Sequence, residues 1–172
     1  MVVSRLRLLQ RDEAPLHARS LYAEDGSASP LKRSLANAPD LLETLLPFVG
    51  QIYDVGAVDL PTKELVVVRV SALNRCRYCT AAHRPIALDV GVPADHVAAA
   101  FGERSLDDLP LRERILVEWV DAVTLDPHGL DDELVARMLD HFRDDQLVEL
   151  ALLIGATQML NTFCTAFAVP PP

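Results

Sequence analysis

At 172 residues, half of them hydrophobic but only 5% aromatic, the chain is long enough to bury a core and fills it with small aliphatic side chains. That composition favours close-packed helices in a single domain over a sandwich built on large rings. A formal net charge of −9 argues against nucleic acid as a partner, because phosphate backbones demand clustered cations.

Three cysteines with only one close pair are not the disulfide framework of a secreted module. The opening residues Met1–Arg7 lack an uninterrupted apolar run before their arginines. The expected compartment is therefore the reducing cytoplasm, where a disulfide is more often catalytic than structural.

In chain order, the segment up to about Pro30 reads as loosely organised, since Glu24–Pro30 is turn and linker chemistry. Residues 1–35 are expected to form an N-terminal extension, loosely structured or wrapped on a partner, ahead of a helical domain over 36–169. A first firm helix begins near Pro39, carries Leu41, Leu42, Leu45, Leu46 and Val49, and bends or ends at Pro47. A second starts at Pro61 after Asp59. Its interior, Leu65–Val70, favours strand on propensity alone. No comparable run exists to pair with it, and a lone strand leaves its backbone unsatisfied, so helix is expected.

Asn74 is expected to cap a third helix that runs to about Val90 and is stopped by Gly91-Val92-Pro93. Four more follow: a short one over 93–101; one opened by Asp107, Asp108 and Pro110 and ending before Asp126; one capped by Asp131; and a long one capped by Asp144 or Asp145. The sum is an all-α domain. Leu150–Val169 is uncharged and just long enough to span a bilayer. Thr157, Gln158, Asn161, Thr162 and Thr165 within it favour a buried or interface helix instead, and no membrane association is expected. Pro170–Pro172 reads as a frayed helix stop.

The chemistry concentrates between Glu64 and His83. Cys76 and Cys79 are three apart, and Cys79 and His83 four apart, so on one helix all three side chains can face one cleft. Two such thiols can close a small disulfide ring. A thiol is a poor nucleophile until deprotonated, which His83 could achieve for Cys79 directly or through one water. If the second helix packs antiparallel against the third, the Glu64 carboxylate can reach the far ring nitrogen, fix its tautomer and stabilise the imidazolium. The helix start and the flanking Arg75 and Arg77 favour a thiolate at Cys76 instead. The expected order is attack on an oxidant by Cys79 and resolution of the sulfenic acid by Cys76, with the reverse assignment open.

Blander readings stay open beside this one. Cys76, Cys79 and His83 are good zinc ligands, although zinc fingers draw a second pair from a separate segment and here Cys164 and His96 stand singly. The pair could also be inert core cysteines. Cys164 is expected to be a buried hydrophobe in an apolar helix, and His17, His96, His128 and His141 to be surface groups. Tyr78 is expected at the cleft, with Ser71 and Asn74 near it. Asn161 and Gln158 need partners: backbone groups would supply them, or the two residues could line the site or an interface. No cofactor or metal is expected.

The pattern Glu-x11-Cys-x-x-Cys-x3-His, met by Glu64, Cys76, Cys79 and His83, resembles the alkylhydroperoxidase D-like proteins of the carboxymuconolactone decarboxylase superfamily. The run from Ser71 to Cys79 and the later Gly91 share the resemblance. It is firm over about residues 60–95, less distinct to Phe142, and absent from residues 1–35. It implies a single-domain helical bundle with the redox pair at the start of a helix, assembling as trimers or as hexamers built from trimers or dimers. It implies reduction of a small hydroperoxide through the pair, with electrons from a dithiol donor such as a lipoylated protein, or a peroxiredoxin as partner. Cys79 would attack, Cys76 resolve, and Glu64 and His83 relay protons. One departure is Tyr78, where the best-known peroxidase members carry a second histidine directly before the second cysteine.

The decarboxylase branch acts on a lactone of aromatic catabolism without this cysteine pair. A decarboxylase-like lyase with incidental cysteines is therefore the first alternative, and a non-enzymatic zinc-binding oligomer the second. A homo-oligomer is expected on separate grounds: the last helix and the Val-rich second helix offer more hydrophobic face than a monomer of this size needs.

Overall fold

In the computed structural model, which describes residues 4–172, the Val-rich run is helical and lies at the centre of the molecule. Among the described residues there are eight α-helices and no strand: α1 Pro30–Leu35, α2 Pro39–Tyr53, α3 Leu60–Leu73, α4 Arg77–Asp89, α5 Ala94–Ala100, α6 Leu111–Leu125, α7 Asp132–Leu139 and α8 Asp144–Ala166. The all-α, single-domain bundle read from the sequence is the fold observed.

Helix α3 starts where Asp59 accepts the Thr62 N–H at 2.9 Å, with Pro61 in the first turn. It packs against α4, α5, α6 and α8, which buries Leu65, Val66, Val67, Val68 and Val70. Full burial of such a side chain is worth roughly 1.5–3 kcal/mol, which overrides the rotamer cost of β-branched residues in a helix. Two ionic ties fix its register. Arg69 forks onto Asp121 of α6, Nε to Oδ1 at 2.6 Å and Nη2 to Oδ2 at 2.5 Å. Lys63 is only 1% exposed. Its ammonium donates to the Ile52 carbonyl at 2.9 Å and to the Asp54 carbonyl, and pairs with the Glu149 carboxylate of α8. Glu149 also accepts the Ala57 N–H at 2.7 Å, so the α2–α3 connection is clamped onto α8.

Several boundaries differ from expectation. Asn74 closes α3 instead of opening α4; its N–H bonds back to Val70 and Ala72. Arg75 then takes a left-handed φ of 52°, and α4 begins one residue after Cys76. Helix α2 runs through Pro47 to Tyr53 without ending there. Pro110 precedes α6, while Asp107 and Asp108 belong to a separate 3-10 turn, Leu106–Asp108. Arg143 is the residue before α8, its N–H held by Gln146 Oε1 at 3.0 Å. Asp144 and Asp145 sit in the first turn, where the helix dipole favours them.

The N-terminal segment is not loose. A 3-10 turn at Leu16–Leu21 and α1 bring Leu9, Ala14, Ala18, Leu21, Tyr22, Ala36 and Leu42 into a small core of their own. Tyr22 Oη donates to the Leu9 carbonyl at 2.8 Å, and Arg33 donates to the Leu8 and Leu9 carbonyls. The Arg5 N–H reaches the Phe167 carbonyl at 2.9 Å. Linker-like composition over Glu24–Pro30 concealed this core because its leucines and alanines are scattered through the segment without a helical period.

Helix α8 is long and apolar enough, by length and composition, to cross a membrane. One face of it, with Leu150, Leu153, Ile154, Thr157, Asn161 and Cys164, is buried against the bundle. Val148, Leu152 and Met159 lie exposed on the other side, as do Leu41 and Phe48 of α2. Between α2, α8 and the N-terminal segment runs an apolar groove of about 280 Å³, lined by Leu35, Leu41, Leu45, Met159, Phe163 and Phe167 among others.

Candidate functional site

Cys76 is the N-cap of α4. Its Sγ accepts the Cys79 N–H at 3.3 Å, one of the donors a helix start leaves unpaired. The two cysteines are free thiols, 2.7 Å apart sulfur to sulfur and both buried. A disulfide bond measures about 2.05 Å, so closing one asks for less than about 1 Å of movement.

The sulfurs do not titrate alike. Hydrogen bonds from the Cys164 and Cys79 thiols hold Cys76 well below the usual thiol range. At Cys79 the hydrogen bond from Cys164 favours the thiolate, but donation to Cys76, burial and the adjacent negative charge outweigh it and push this thiol up.

His83 lies one turn beyond Cys79 on α4. Its Nδ1 is 2.9 Å from Glu64 Oε2 of α3, across the α3–α4 packing. The carboxylate side chain is 8% exposed and the imidazole 20%. With Nδ1 engaged by the carboxylate, Nε2 is the nitrogen left to exchange protons. Tyr53 packs its ring 5.8 Å from the imidazole, centroid to centroid, and shares a 2.8 Å hydrogen bond with Thr157. Glu64 and His83 thus meet across the α3–α4 packing, while Cys76 and Cys79 cluster with Cys164 of α8. Among the described residues, the imidazole's side-chain hydrogen bond goes to Glu64 and not to a sulfur.

Helix α8 closes the site. Asn161, expected to be satisfied by backbone, is instead held by side chains: its Oδ1 accepts from Asn74 at 3.0 Å and its Nδ2 donates to Ser71 at 3.2 Å. Gln158 does find backbone, the Thr124 carbonyl at 3.1 Å. Cys164, three residues beyond Asn161 on the same face, is more than a hydrophobe: the Sγ atoms of Cys76, Cys79 and Cys164 all lie within 4.8 Å of one another. Sequence reading missed it. The available signal was its helical register with Thr157 and Asn161, polar residues at i−7 and i−3 on a buried face. The soft-metal ligand set the site could offer is accordingly these three thiols, with His83 turned to Glu64 instead.

Beside Cys164 opens a pocket of about 290 Å³, lined by Arg75, Arg77, Tyr78, Cys164 and the chain from Ala168 to Pro171. Val169 is buried and its N–H bonds the Cys164 carbonyl at 2.9 Å, while Pro171 and Pro172 beyond it are exposed. His96 is not a surface group either. Its Nδ1 lies 2.6 Å from Glu113 Oε2, joining α5 to α6.

Residues 39–122 match the model of the Carboxymuconolactone decarboxylase family. Protein YdfG of Bacillus subtilis, described as uncharacterized, is 27% identical over 111 residues, covering 64% of this chain and 76% of its own length. Protein YnjA of Escherichia coli, also described as uncharacterized, is 27% identical over 169 residues, covering 98% of this chain and 91% of its own. Among solved structures, an alkylhydroperoxidase AhpD core, an uncharacterized peroxidase-related protein from Ralstonia eutropha, superposes with a TM-score of 0.84 at 22% identity. It covers all of this chain and 94% of that one, a likeness of fold.

Proposed function

We propose that this chain, whose residues 39–122 match the Carboxymuconolactone decarboxylase family model and whose fold is that of an alkylhydroperoxidase AhpD core, reduces a small hydroperoxide with the Cys76–Cys79 dithiol, aided by a Glu64–His83 proton relay. One observation carries the reading: two free thiols 2.7 Å apart at a helix start, one turn from an imidazole oriented by a buried carboxylate.

His83 Nε2 takes the Cys79 proton, through a bridging water, as the sulfur attacks the distal peroxide oxygen. The O–O bond breaks, and the imidazolium returns the proton to the departing alkoxide. Cys76, already a thiolate, attacks the Cys79 sulfenic acid; hydroxide leaves, takes a proton from solvent and departs as water. A dithiol donor then restores both thiols and is itself oxidised to a disulfide. The low titration of Cys76 suits it to resolution, since it needs no base at that moment. The reducing cytoplasm is the compartment that would keep such a pair supplied with electrons.

The test is a peroxide titration read by thiol alkylation and peptide mass. One equivalent of hydrogen peroxide is expected to remove two hydrogens from the peptide that contains Cys76 and Cys79; unchanged thiols would remove the reading. A second reading, a thiophilic ion held by the three clustered sulfurs, would appear in the same preparation as stoichiometric metal together with peroxide inertness. His83→Ala is expected to slow the first oxidation near neutral pH by on the order of a hundredfold, and Glu64→Gln, which keeps an acceptor without the charge, by less. An unchanged rate in His83→Ala would take the base out of the mechanism.

We further propose a homo-oligomer, a trimer or hexamer with a dimer as the alternative, in which the exposed stripe of α8 and the α2 groove are covered by other copies. Light scattering should return a multiple of 18.9 kDa; the monomer mass would refute it.

A further inference from the structure

We propose that Cys164 is a third redox thiol, which takes over the disulfide from the buried pair and carries it to the arginine-rimmed pocket, where a small anionic thiol collects it. This rests on the thiol-redox reading above. Three observations support it. The Cys164 sulfur lies within 4.8 Å of both Cys76 and Cys79 sulfurs, so exchange needs side-chain rotation and no helix movement. Cys164 lines the pocket of about 290 Å³, and neither Cys76 nor Cys79 does. That pocket pairs two guanidinium side chains, Arg75 and Arg77, with the apolar surfaces of Tyr78, Val169, Pro170 and Pro171. A carboxylate on an otherwise apolar thiol compound matches both halves. A cysteine serving only as packing would need neither sulfur neighbours nor a charged opening.

The chemistry balances. Once peroxide has oxidised the pair, the Cys164 thiolate attacks one sulfur of the Cys76–Cys79 disulfide. A Cys164-containing disulfide forms, the old S–S bond breaks, and the released thiolate accepts the proton that Cys164 gave up. No electrons leave the protein in this step. In the pocket, the first donor thiol attacks the Cys164 sulfur, forms a mixed disulfide and frees the second protein thiol. A second donor thiol then attacks the donor sulfur, leaving as donor disulfide and returning Cys164 to the thiol. Two donor thiols thus supply the two electrons that the peroxide consumed. In the reduced resting state, Cys164 stays protonated as the hydrogen-bond donor to both neighbours.

The experiment uses the full chain with three donors: mercaptosuccinate as the anionic probe, and β-mercaptoethanol and dithiothreitol as neutral ones. In the wild type, rapid alkylation after one equivalent of peroxide should trap a linked peptide joining Cys164 to Cys76 or Cys79, beside the Cys76–Cys79 disulfide. Cys164→Ser and Cys164→Ala should both still form the Cys76–Cys79 disulfide with one equivalent of peroxide, the alanine variant more slowly for want of the side chain that donates to both sulfurs, and both should lose at least tenfold in turnover with mercaptosuccinate. Arg75→Asn, a residue that tolerates the left-handed φ, should raise the KM for mercaptosuccinate about tenfold and leave β-mercaptoethanol unaffected. A wild type that forms the Cys76–Cys79 disulfide but never one containing Cys164, with turnover intact in both variants, overturns this proposal alone. A wild type whose thiols all survive peroxide overturns the redox reading and this proposal with it.

Discussion

The Cys79→Ser variant is expected to lose hydroperoxide turnover by roughly a thousandfold or more, as removal of a nucleophile does when nothing else can form the covalent intermediate. The double variant Cys76→Ser with Cys164→Ser is expected to lose steady-state turnover just as completely, but for a different reason. Its first step survives, and with both neighbouring thiols gone a sulfenic acid accumulates on Cys79, where a dimedone adduct can be trapped and located by mass. No such adduct should form in Cys79→Ser. If the adduct instead appears on Cys76 in Cys79→Ser, the two roles are exchanged.

The single cysteine variants carry a titration with a definite sign. Cys76 is held below the usual thiol range by the thiols that donate to it, so it is ionised at neutral pH and loses its charge only when pH falls through that lowered value. Ultraviolet thiolate absorbance should persist at about pH 5, where an ordinary thiol is fully protonated. It should vanish in Cys76→Ser and remain in Cys79→Ser, weakened by the loss of one donor.

The second large effect concerns stability. Lys63→Met leaves the Glu149 carboxylate, whose side chain is 17% exposed, facing the α2–α3 connection without its cation. Breaking such a pair from one side costs about 3 kcal/mol or more, which for a chain of this length is a drop of roughly 6–12 °C in Tm. The double change Lys63→Met with Glu149→Gln removes both charges while keeping an acceptor for the Ala57 N–H. It should recover a large part of the loss. A single variant that unfolds at the wild-type temperature would show that neither the ion pair nor the two carbonyl hydrogen bonds of that ammonium add to stability.

The α3 helix was legible because the absence of any partner run outweighed the strand propensity of Leu65–Val70. The meeting of Glu64 with His83 followed from two antiparallel helices and ordinary i, i+4 geometry. What could not be read was local or distant in instructive ways. Arg75 occupies a left-handed conformation that a non-glycine residue does not advertise, and so the start of α4 was placed two residues early, with Asn74 given a role at the wrong helix. Pro47 was expected to bend or end α2; it does not end it, for it sits in a helix whose packing against α8 sustains the remaining turns. Cys164 stands 85 positions beyond Cys79 in an apolar run, and its neighbourhood depends on how α8 crosses α4, a tertiary fact with no local code. The N-terminal core hid for the same reason: its alanines and Leu9 come from separate stretches of the segment, tied by Tyr22 and Arg33 to the Leu9 carbonyl.

The wall that Pro170 and Pro171 give the pocket has a consequence of its own. Proline has no N–H, and the Val169 N–H is already spent on Cys164, so this side offers an incoming anion no backbone donor. Attraction there falls to the exposed guanidinium groups, whose reach is about 8 Å at physiological ionic strength and shrinks as salt is added. In the proposed cycle the two half-reactions are therefore expected to carry different ionic-strength signatures. Oxidation by an uncharged hydroperoxide should stay flat as salt rises, while reduction by a charged thiol should slow, so added salt should drive the resting population toward the oxidised form.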